Sequence, residues 1–408
     1  MNQKFKYNTG KQILGKNTFS SMNDLESRLN NNVMLLGSPG SGKTTLIKAN
    51  LLEATGSYIV SDPKSQLYGE FKEYLENHGY RVLCLDFKNL LHNNTCHFNP
   101  FSYIRNEEDI LKISTLLSGD CRNKNDPFWD QAVSLLYTSL ISYLVLECDE
   151  SKRTLRNMIS MISMGASTRN EYEKSELDIL FDKLADKKPD SYAVRQYQRY
   201  RGMASKTLLS VLITAQSKLA FFDTPTINEL TSIDDINIPS IGQKPTALFV
   251  SVSDTDRSLD SLAGLFFSIA IQELVRYADE TCENGRLRIP TRIFMDDFGT
   301  NIKIEQYPRI LSSIRSRNIS TWTILQSKGQ LEKIYGNDAD TIIGACDHVI
   351  YQGGNDIVTA RYIADRTNNS ISSILGMEIG KSIIVTRGER ESSLVDNIEM
   401  NKYILNKN

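Results

Sequence analysis

The 408 residues predict an α/β fold: a mostly parallel sheet with helices on both faces, interrupted by an all-helical insertion. Two observations carry that expectation. Toward both ends of the chain, short apolar runs alternate with helix-length stretches, the β-α-β rhythm that lays strands side by side in one direction. Between about residues 106 and 202 the strand signal stops, and apolar residues recur only at helical spacing.

The order begins with Val33-Met34-Leu35-Leu36, an all-apolar run suited to a strand covered on both faces. Gly37-Ser38-Pro39-Gly40-Ser41-Gly42-Lys43-Thr44-Thr45 follow, and TLIKANLLEA continues as a helix. The pattern G-x4-G-K-[ST] between strand and helix is that of a phosphate-binding loop. Gly37 and Gly42 let the backbone curl so that successive N–H groups point inward, and the helix N-terminus adds partial positive charge there. Lys43 is then placed to reach the β- and γ-phosphates of ATP, and the Thr44 hydroxyl to complete a Mg²⁺ site. A stray match to this pattern arises in about one chain in a hundred of this length.

Tyr58-Ile59-Val60 is the next strand, ended by the turn former Asp62-Pro63. A helix around 69–76 leads to Gly79 and the strand RVLCLD at 81–86. The helical insertion holds DPFWDQAVSLLYTSLISYLVLE, LRNMISMISM and LDILFDKLADKK. Strands resume at 246–253, 292–295, 320–325, 348–351 and 382–386, with helices at 257–278, 306–317 and 356–365. The expected domains are therefore 1–105, the first part of a nucleotide-binding domain; 106–205, the insertion; and 206–408, the second part.

A phosphate-binding loop needs an acidic partner for its metal at the end of a neighbouring strand. Arg292-Ile293-Phe294-Met295-Asp296-Asp297 supplies one. Asp296 is expected at Mg²⁺, directly or through water, and Asp297 at the attacking water. Adjacent aspartates also start ordinary turns, but pairing with the loop favours the catalytic reading. Gln326, closing STWTIL, is either a hydrogen-bond donor to the γ-phosphate or attacking water, or a surface amide at a strand end. In SSIRSRN, Arg315 and Arg317 close a helix, where basic residues suit the dipole. The functional alternative is an arginine finger entering a neighbouring subunit's site.

Composition narrows the classes further. A net charge of −2 gives no overall attraction to nucleic acid, so any DNA-binding surface must be local. No stretch approaches the roughly 18 apolar residues of a membrane span, and 135–146 reads as a buried helix. MNQKFKYNTGKQ lacks the apolar core of a signal peptide, which predicts a cytoplasmic chain. Cys84, Cys96, Cys121, Cys148, Cys282 and Cys346 show no C-x-x-C spacing and read as reduced thiols. His92, Cys96 and His97 cluster without a second ligand pair, so no zinc site is expected.

Taken in order, these stretches resemble the TraG-like conjugative type IV coupling proteins, RecA-like ATPases that bring relaxase-bound DNA to a secretion channel. The matching segments are NNNVMLLGSPGSGKT, SYIVSDPKSQLY, GYRVLCLDF with FNPF, DPFW, KPTALFVSVSD, MDDFGTN, RSRNISTWTILQSKGQLEKIYG and DHVIYQGGND, over about 30–390. The resemblance is strongest to the branch of anaerobic Gram-positive mobile elements, where Asp-Asp-Phe stands at the second acidic motif. It implies a RecA-like P-loop fold and a homohexameric, ATP-driven motor. Its implied partners are DNA, the relaxosome and type IV secretion channel components at the inner face of the membrane. It further implies Lys43 and Thr44 on phosphate and Mg²⁺, Asp296 and Asp297 on metal and water, Gln326 as sensor and Arg315 as finger in trans. The insertion would face the cytoplasm and meet the relaxosome.

Three departures stand out. The family usually opens with two membrane-spanning helices, absent here, so membrane contact is expected through a partner or a missing anchor. Asp297 replaces the Glu common in the wider family, and Ser65-Gln66 replaces Gly-Glu after Asp-Pro-Lys. Near the end of the insertion, Tyr192, Arg195, Tyr197, Arg199, Tyr200 and Arg201 interleave rings and charges in a way that suits single-stranded nucleic acid or an ordinary helix surface. Two other functions stay open: a double-strand DNA translocase of the chromosome-partitioning type, and a nucleotide-gated adaptor with little turnover.

Overall fold

The computed structural model describes residues 10–88, 94–119, 127–167, 173–253, 256, 258–298 and 303–405. Contacts divide the chain into two compact units, one of 1–88, 237–260 and 270–408, the other of 89–236 with 261–269.

The first unit is built on strands β1 (Lys11–Gly15), β2 (Thr18–Ser21), β3 (Val33–Leu36), β4 (Ser57–Ser61), β5 (Arg81–Asp86), β6 (Thr246–Ser251), β7 (Thr291–Met295), β8 (Ile319–Leu325), β9 (His348–Tyr351), β10 (Lys381–Thr386) and β11 (Ser393–Asp396). β1 and β2 form an antiparallel hairpin. The others form a nine-stranded sheet in the order β11-β10-β9-β3-β8-β7-β4-β6-β5. From β9 to β5 every neighbouring pair is parallel. β10 and β11 close that edge antiparallel. Every residue of β3, β4, β6, β7 and β8 is buried, which is why these strands read as continuous apolar or small-residue runs rather than as alternation.

Helix α1 (Asp24–Ser27) is a single turn; α2 (Lys43–Leu52) and α3 (Leu67–Asn77) cover one face. α3 presents Leu67, Phe71 and Leu75, spaced four apart on one stripe, and α2 presents Leu46, Ile47 and Leu51. They pack on Val33, Leu35, Tyr58, Val60, Phe249, Phe294, Trp322 and Ile324. Each such side chain contributes about 1.5–3 kcal/mol by leaving water. On β8, Thr321 and Thr323 meet the buried Tyr307 hydroxyl at 3.1 and 2.6 Å. The register aligns Leu36 with Leu325 and Met295 with Thr323, so the ends of β3, β8 and β7 lie side by side.

The second unit holds α4 (Glu107–Ser118), α5 (Phe128–Leu146), α6 (Leu155–Gly165), α7 (Glu176–Lys187), α8 (Tyr192–Arg201), α9 (Ser205–Leu219) and α10 (Pro225–Leu230). Helix α11 (Asp260–Thr281) contributes its residues 261–269. Asn106, Thr154, Ser175 and Thr224 start α4, α6, α7 and α10 by accepting a backbone N–H with their side chains. The long apolar stretch expected to be a buried helix is α5, which hides Leu136, Tyr137, Leu140, Ile141 and Leu144. The helical unit is wider than the expected 106–205. It begins at Asn89 and includes α9 and α10, because Leu208, Val211, Leu212, Ala215 and Leu219 bury one stripe of α9. Among the described residues no helix is long and apolar enough to cross a membrane.

Candidate active site

The loop Gly37–Thr45 leaves the end of β3 and enters α2 at Lys43. A Cβ on Gly37 would fall 2.5 Å from Ser41 Oγ and 3.1 Å from Gln352 Cβ, so any side chain there displaces its neighbours. Gly42 caps the helix with φ +106°, a left-handed value that favours glycine. Gly37 N–H donates to Leu325 O at 3.2 Å and Ser38 N–H to Gly353 O at 2.9 Å, tying the loop to both flanking strands. Among the described residues nothing accepts from the N–H of Gly40, Gly42, Lys43 or Thr44. Four unspent donors at a helix N-terminus form a cradle for an anion.

Lys43 Nζ lies across the loop, donating to Gly37 O at 2.7 Å and Ser38 O at 3.1 Å. Burial pulls its pKa down, and the Asp296 and Asp297 carboxylates oppose that pull. Thr44 Oγ1 donates to Asp296 Oδ2 at 3.4 Å. Asp296 is buried; its main-chain carbonyl accepts from Ser61 Oγ at 3.3 Å and its Oδ1 from the Asp297 N–H at 3.1 Å. Burial first, then the neighbouring Asp297 charge, push its carboxyl up to about 6, while Lys43 and its hydrogen bonds hold it down. A hydroxyl and a carboxylate held this close form a hard oxygen pair of the kind Mg²⁺ takes, so the residues present fit that ion.

Asp297 has φ +50°, a left-handed backbone that aspartate tolerates better than most residues. Gln326, directly after β8, donates from Nε2 to Asp297 Oδ1 at 3.4 Å, and its own N–H is held by Gln330 Oε1 at 2.9 Å. The two ends expected to work together are thus adjacent. Residues 299–301 of MDDFGTN lie outside the described residues.

Arg315 is elsewhere. It sits in the turn Ile314–Arg317 before β8, at the edge where the strands begin, whereas the loop is at the edge where they end. Its Nη2 donates to Asp24 O at 2.8 Å, and its Nε lies 3.5 Å from Asp24 Oδ2. Arg317 is held by Asp279 at 2.9 Å.

Ser65 also has left-handed backbone, φ +54°, which explains why a glycine suits that position. Asp62 starts α3 by accepting from the N–H groups of Gln66, Leu67 and Tyr68 at 3.1, 2.8 and 3.2 Å. In the helical unit the interleaved aromatic segment behaves differently from a stacking surface. Tyr197 and Tyr200 are buried, Tyr197 OH donates to Asp178 Oδ1 at 2.9 Å, and Arg201 pairs with the same carboxylate at 2.8 Å. These rings pack the core of α7 and α8 and are not free for bases. His97 is held by Asp235 at 2.8 Å; His92 and Cys121 lie outside the described residues.

Two site residues escaped the sequence. Gln352, just past β9, donates its N–H to Leu36 O at 2.8 Å, is 6% exposed, and has no partner for its Oε1 among the described residues. Asn397, just past β11, donates from Nδ2 to Ser41 O at 2.9 Å. A lone amide after a short strand carries no sequence signal.

A phosphate-binding loop on β3, acidic residues on β7 and an amide on the strand between them, in the order β9-β3-β8-β7-β4, define a P-loop protein of RecA-like fold. Within that class, the chain belongs to the family described as type IV secretory system conjugative DNA transfer, whose model matches residues 3–372. Conjugal transfer protein TraG of Rhizobium radiobacter is 23% identical over 359 residues, covering 83% of this chain and 52% of the relative. TraG of Agrobacterium fabrum is also 23% identical over 359 residues, covering 83% of this chain and 51% of its own length. The chain therefore spans about half the length of the curated relatives it matches. Among solved structures, the bacterial conjugative coupling protein TrwBdeltaN70 superposes with a TM-score of 0.67 at 16% identity, covering 91% of this chain and 86% of that one. TrwB in complex with ADP and Mg²⁺ gives a TM-score of 0.67, 16% identity and the same coverage.

Proposed function

We propose that this chain is an ATP-hydrolysing motor that couples relaxase-bound DNA to a type IV secretion channel, working as a ring of identical subunits, with six the expected number. The observation that carries this reading is the meeting of three strand ends: the loop after β3, Gln326 after β8, and Asp296-Asp297 after β7. TrwB, similar in fold, has been crystallised with ADP and Mg²⁺, which supports the same ligands here.

ATP binds with its phosphates against the unspent N–H groups of Gly40, Gly42, Lys43 and Thr44, and Lys43 moves from the loop carbonyls to the terminal phosphates. Ser38, Pro39, Ser41 and Thr45 complete the loop around them. Thr44 and Asp296 would hold Mg²⁺, which would supply charge neutralisation to the phosphate oxygens. Asp297 accepts a proton from the attacking water, and Gln326, already hydrogen-bonded to Asp297, orients that water.

Arg315 lies at the opposite end of β8, seven residues or about 23 Å away. It cannot serve its own loop, so it acts on the site of an adjacent copy. Release from Asp24 on assembly would make it available. The location follows: in the cytoplasm, at the inner face of the membrane through a partner or a further anchoring segment. The assembled Asp297 and Gln326 favour a motor over an adaptor without turnover.

The test is steady-state ATP hydrolysis with and without single-stranded DNA, for the protein and for Lys43→Ala. Turnover that rises with DNA and is lost in the variant supports the proposal. Turnover indifferent to both contradicts it.

A further inference from the structure

Segment 393–405 runs back along the sheet edge and over the loop helix. Val395, Ile398, Met400 and Tyr403 pack against the apolar cluster that α2 enters, and Tyr403 OH donates to Glu53 Oε1, just past the end of α2, at 2.5 Å. Between these anchors stands Asn397. Its carboxamide is used at both ends: Oδ1 accepts from Ser382 Oγ, and Nδ2 donates to the Ser41 carbonyl at 2.9 Å. Its own N–H donates to Gly380 O at 2.7 Å, so the backbone that carries it is fixed too. Because a carbonyl only accepts, the nitrogen must be the atom facing Ser41.

We propose that Asn397 is a positioning residue of the phosphate-binding loop, setting the direction of the Gly42 N–H by holding the carbonyl of Ser41. The argument is one of peptide geometry. The Ser41–Gly42 bond is trans, and a trans peptide is planar, with C=O and N–H pointing in opposite directions. Pinning the Ser41 oxygen to Asn397 therefore turns the Gly42 N–H the other way, and that N–H is one of the four unspent donors of the cradle. Gly42 needs this help more than its neighbours, because at φ +106° it sits outside the helix it caps. The loop's other end is tied by main-chain bonds to Leu325 and Gly353; at Ser41 a side chain from beyond β10 does the work. Asn397 lies past residue 372, where the family match ends, so this contact belongs to the part of the chain that the family description does not cover.

The inference rests on the nucleotide-binding reading, and the experiment separates the two. Binding of a fluorescent ATP analogue with Mg²⁺ is measured for the wild type, Lys43→Ala, Asn397→Asp, Asn397→Ala and Ser382→Ala, beside thermal unfolding and steady-state kinetics. Asn397→Asp keeps the shape and the Ser382 contact but sets an oxygen against the Ser41 carbonyl. It should weaken nucleotide binding about tenfold or more, with Asn397→Ala and then Ser382→Ala weakening it less. KM should rise while kcat stays within about threefold, since Asn397 touches no reacting atom. A lowered melting temperature with unchanged affinity, or affinity unchanged in both Asn397 variants, overturns the positioning role. If Asn397→Asp does not fold, the alanine variants decide in the same way. A wild type that binds no nucleotide, or binds it as well as Lys43→Ala does, overturns the nucleotide reading itself.

Discussion

Thr44 Oγ1 and Asp296 Oδ2 lie 3.4 Å apart across 252 positions of sequence. The sheet makes this possible. β8 separates β3 from β7, and the parallel register brings all three strand ends to one edge, so residues from opposite halves of the chain meet without any local signal. The helical unit is inserted between those halves and leaves that register intact.

Asp297 and Asp296 should fail in different ways. Asp297→Asn is expected to lower kcat by about 10²- to 10⁴-fold while nucleotide affinity stays within a few fold, because it removes a proton acceptor and leaves the cradle intact. Asp296→Asn should instead abolish the Mg²⁺ dependence of binding. Titration of each variant with nucleotide and metal checks this; a kcat preserved in Asp297→Asn would remove that residue from the mechanism.

Ser65 holds a left-handed backbone at φ +54° without being a glycine. Ser65→Gly should raise stability by about 0.5–1 kcal/mol, read as a higher urea midpoint with unchanged slope. A lower midpoint would mean that the serine side chain contributes more than its backbone costs.

Two buried groups should contribute to the acid response of the metal-free protein with opposite sign. Burial pulls His348 down to about 4, below its ordinary value of 6.5. Between those values the unfolded chain takes a proton that the folded one refuses, so stability is lost as pH falls, by about 3 kcal/mol at most. Asp296 is pushed up to about 6, above its ordinary 3.8, so the folded chain takes the proton first and stability is gained over nearly the same window. Unfolding free energies between pH 6.5 and 4 should therefore fall more steeply in Asp296→Asn than in the wild type, and less steeply in His348→Gln. Parallel curves for all three would contradict both assignments.

Much of the fold is legible because the strands carry continuous apolar runs. VMLL and HVIY, buried throughout, and the edge strand RVLCLD, buried over its second half, appear with the expected bounds. β1, β2 and β11 are not legible: β2 and β11 are four-residue strands with half-exposed residues and no apolar run, and β1 offers only the pair Ile13-Leu14. α9 carries a clear stripe from Leu208 to Leu219 and groups with the helical unit, past residue 205; periodicity reveals a helix but not which core it joins. The loop is legible because its chemistry is local, one short run of backbone with Lys43 and Thr44. Asp297 and Gln326 were each legible as strand-end groups facing the attacking water, but Asn397 was not, since its contact depends on a hairpin edge that sequence spacing does not encode.

The central claim is hydrolysis at an interface between copies, with Lys43 on one side and Arg315 on the other. It is tested most directly by mixing two inactive proteins, Lys43→Ala and Arg315→Ala, and measuring ATP turnover against total concentration with single-stranded DNA present. A Lys43→Ala subunit lends its arginine to the intact loop of an Arg315→Ala neighbour. The account predicts that each variant alone is inactive and that the mixture regains turnover, rising with concentration. A mixture as inactive as its components, or an Arg315→Ala protein that turns over normally alone, would contradict it.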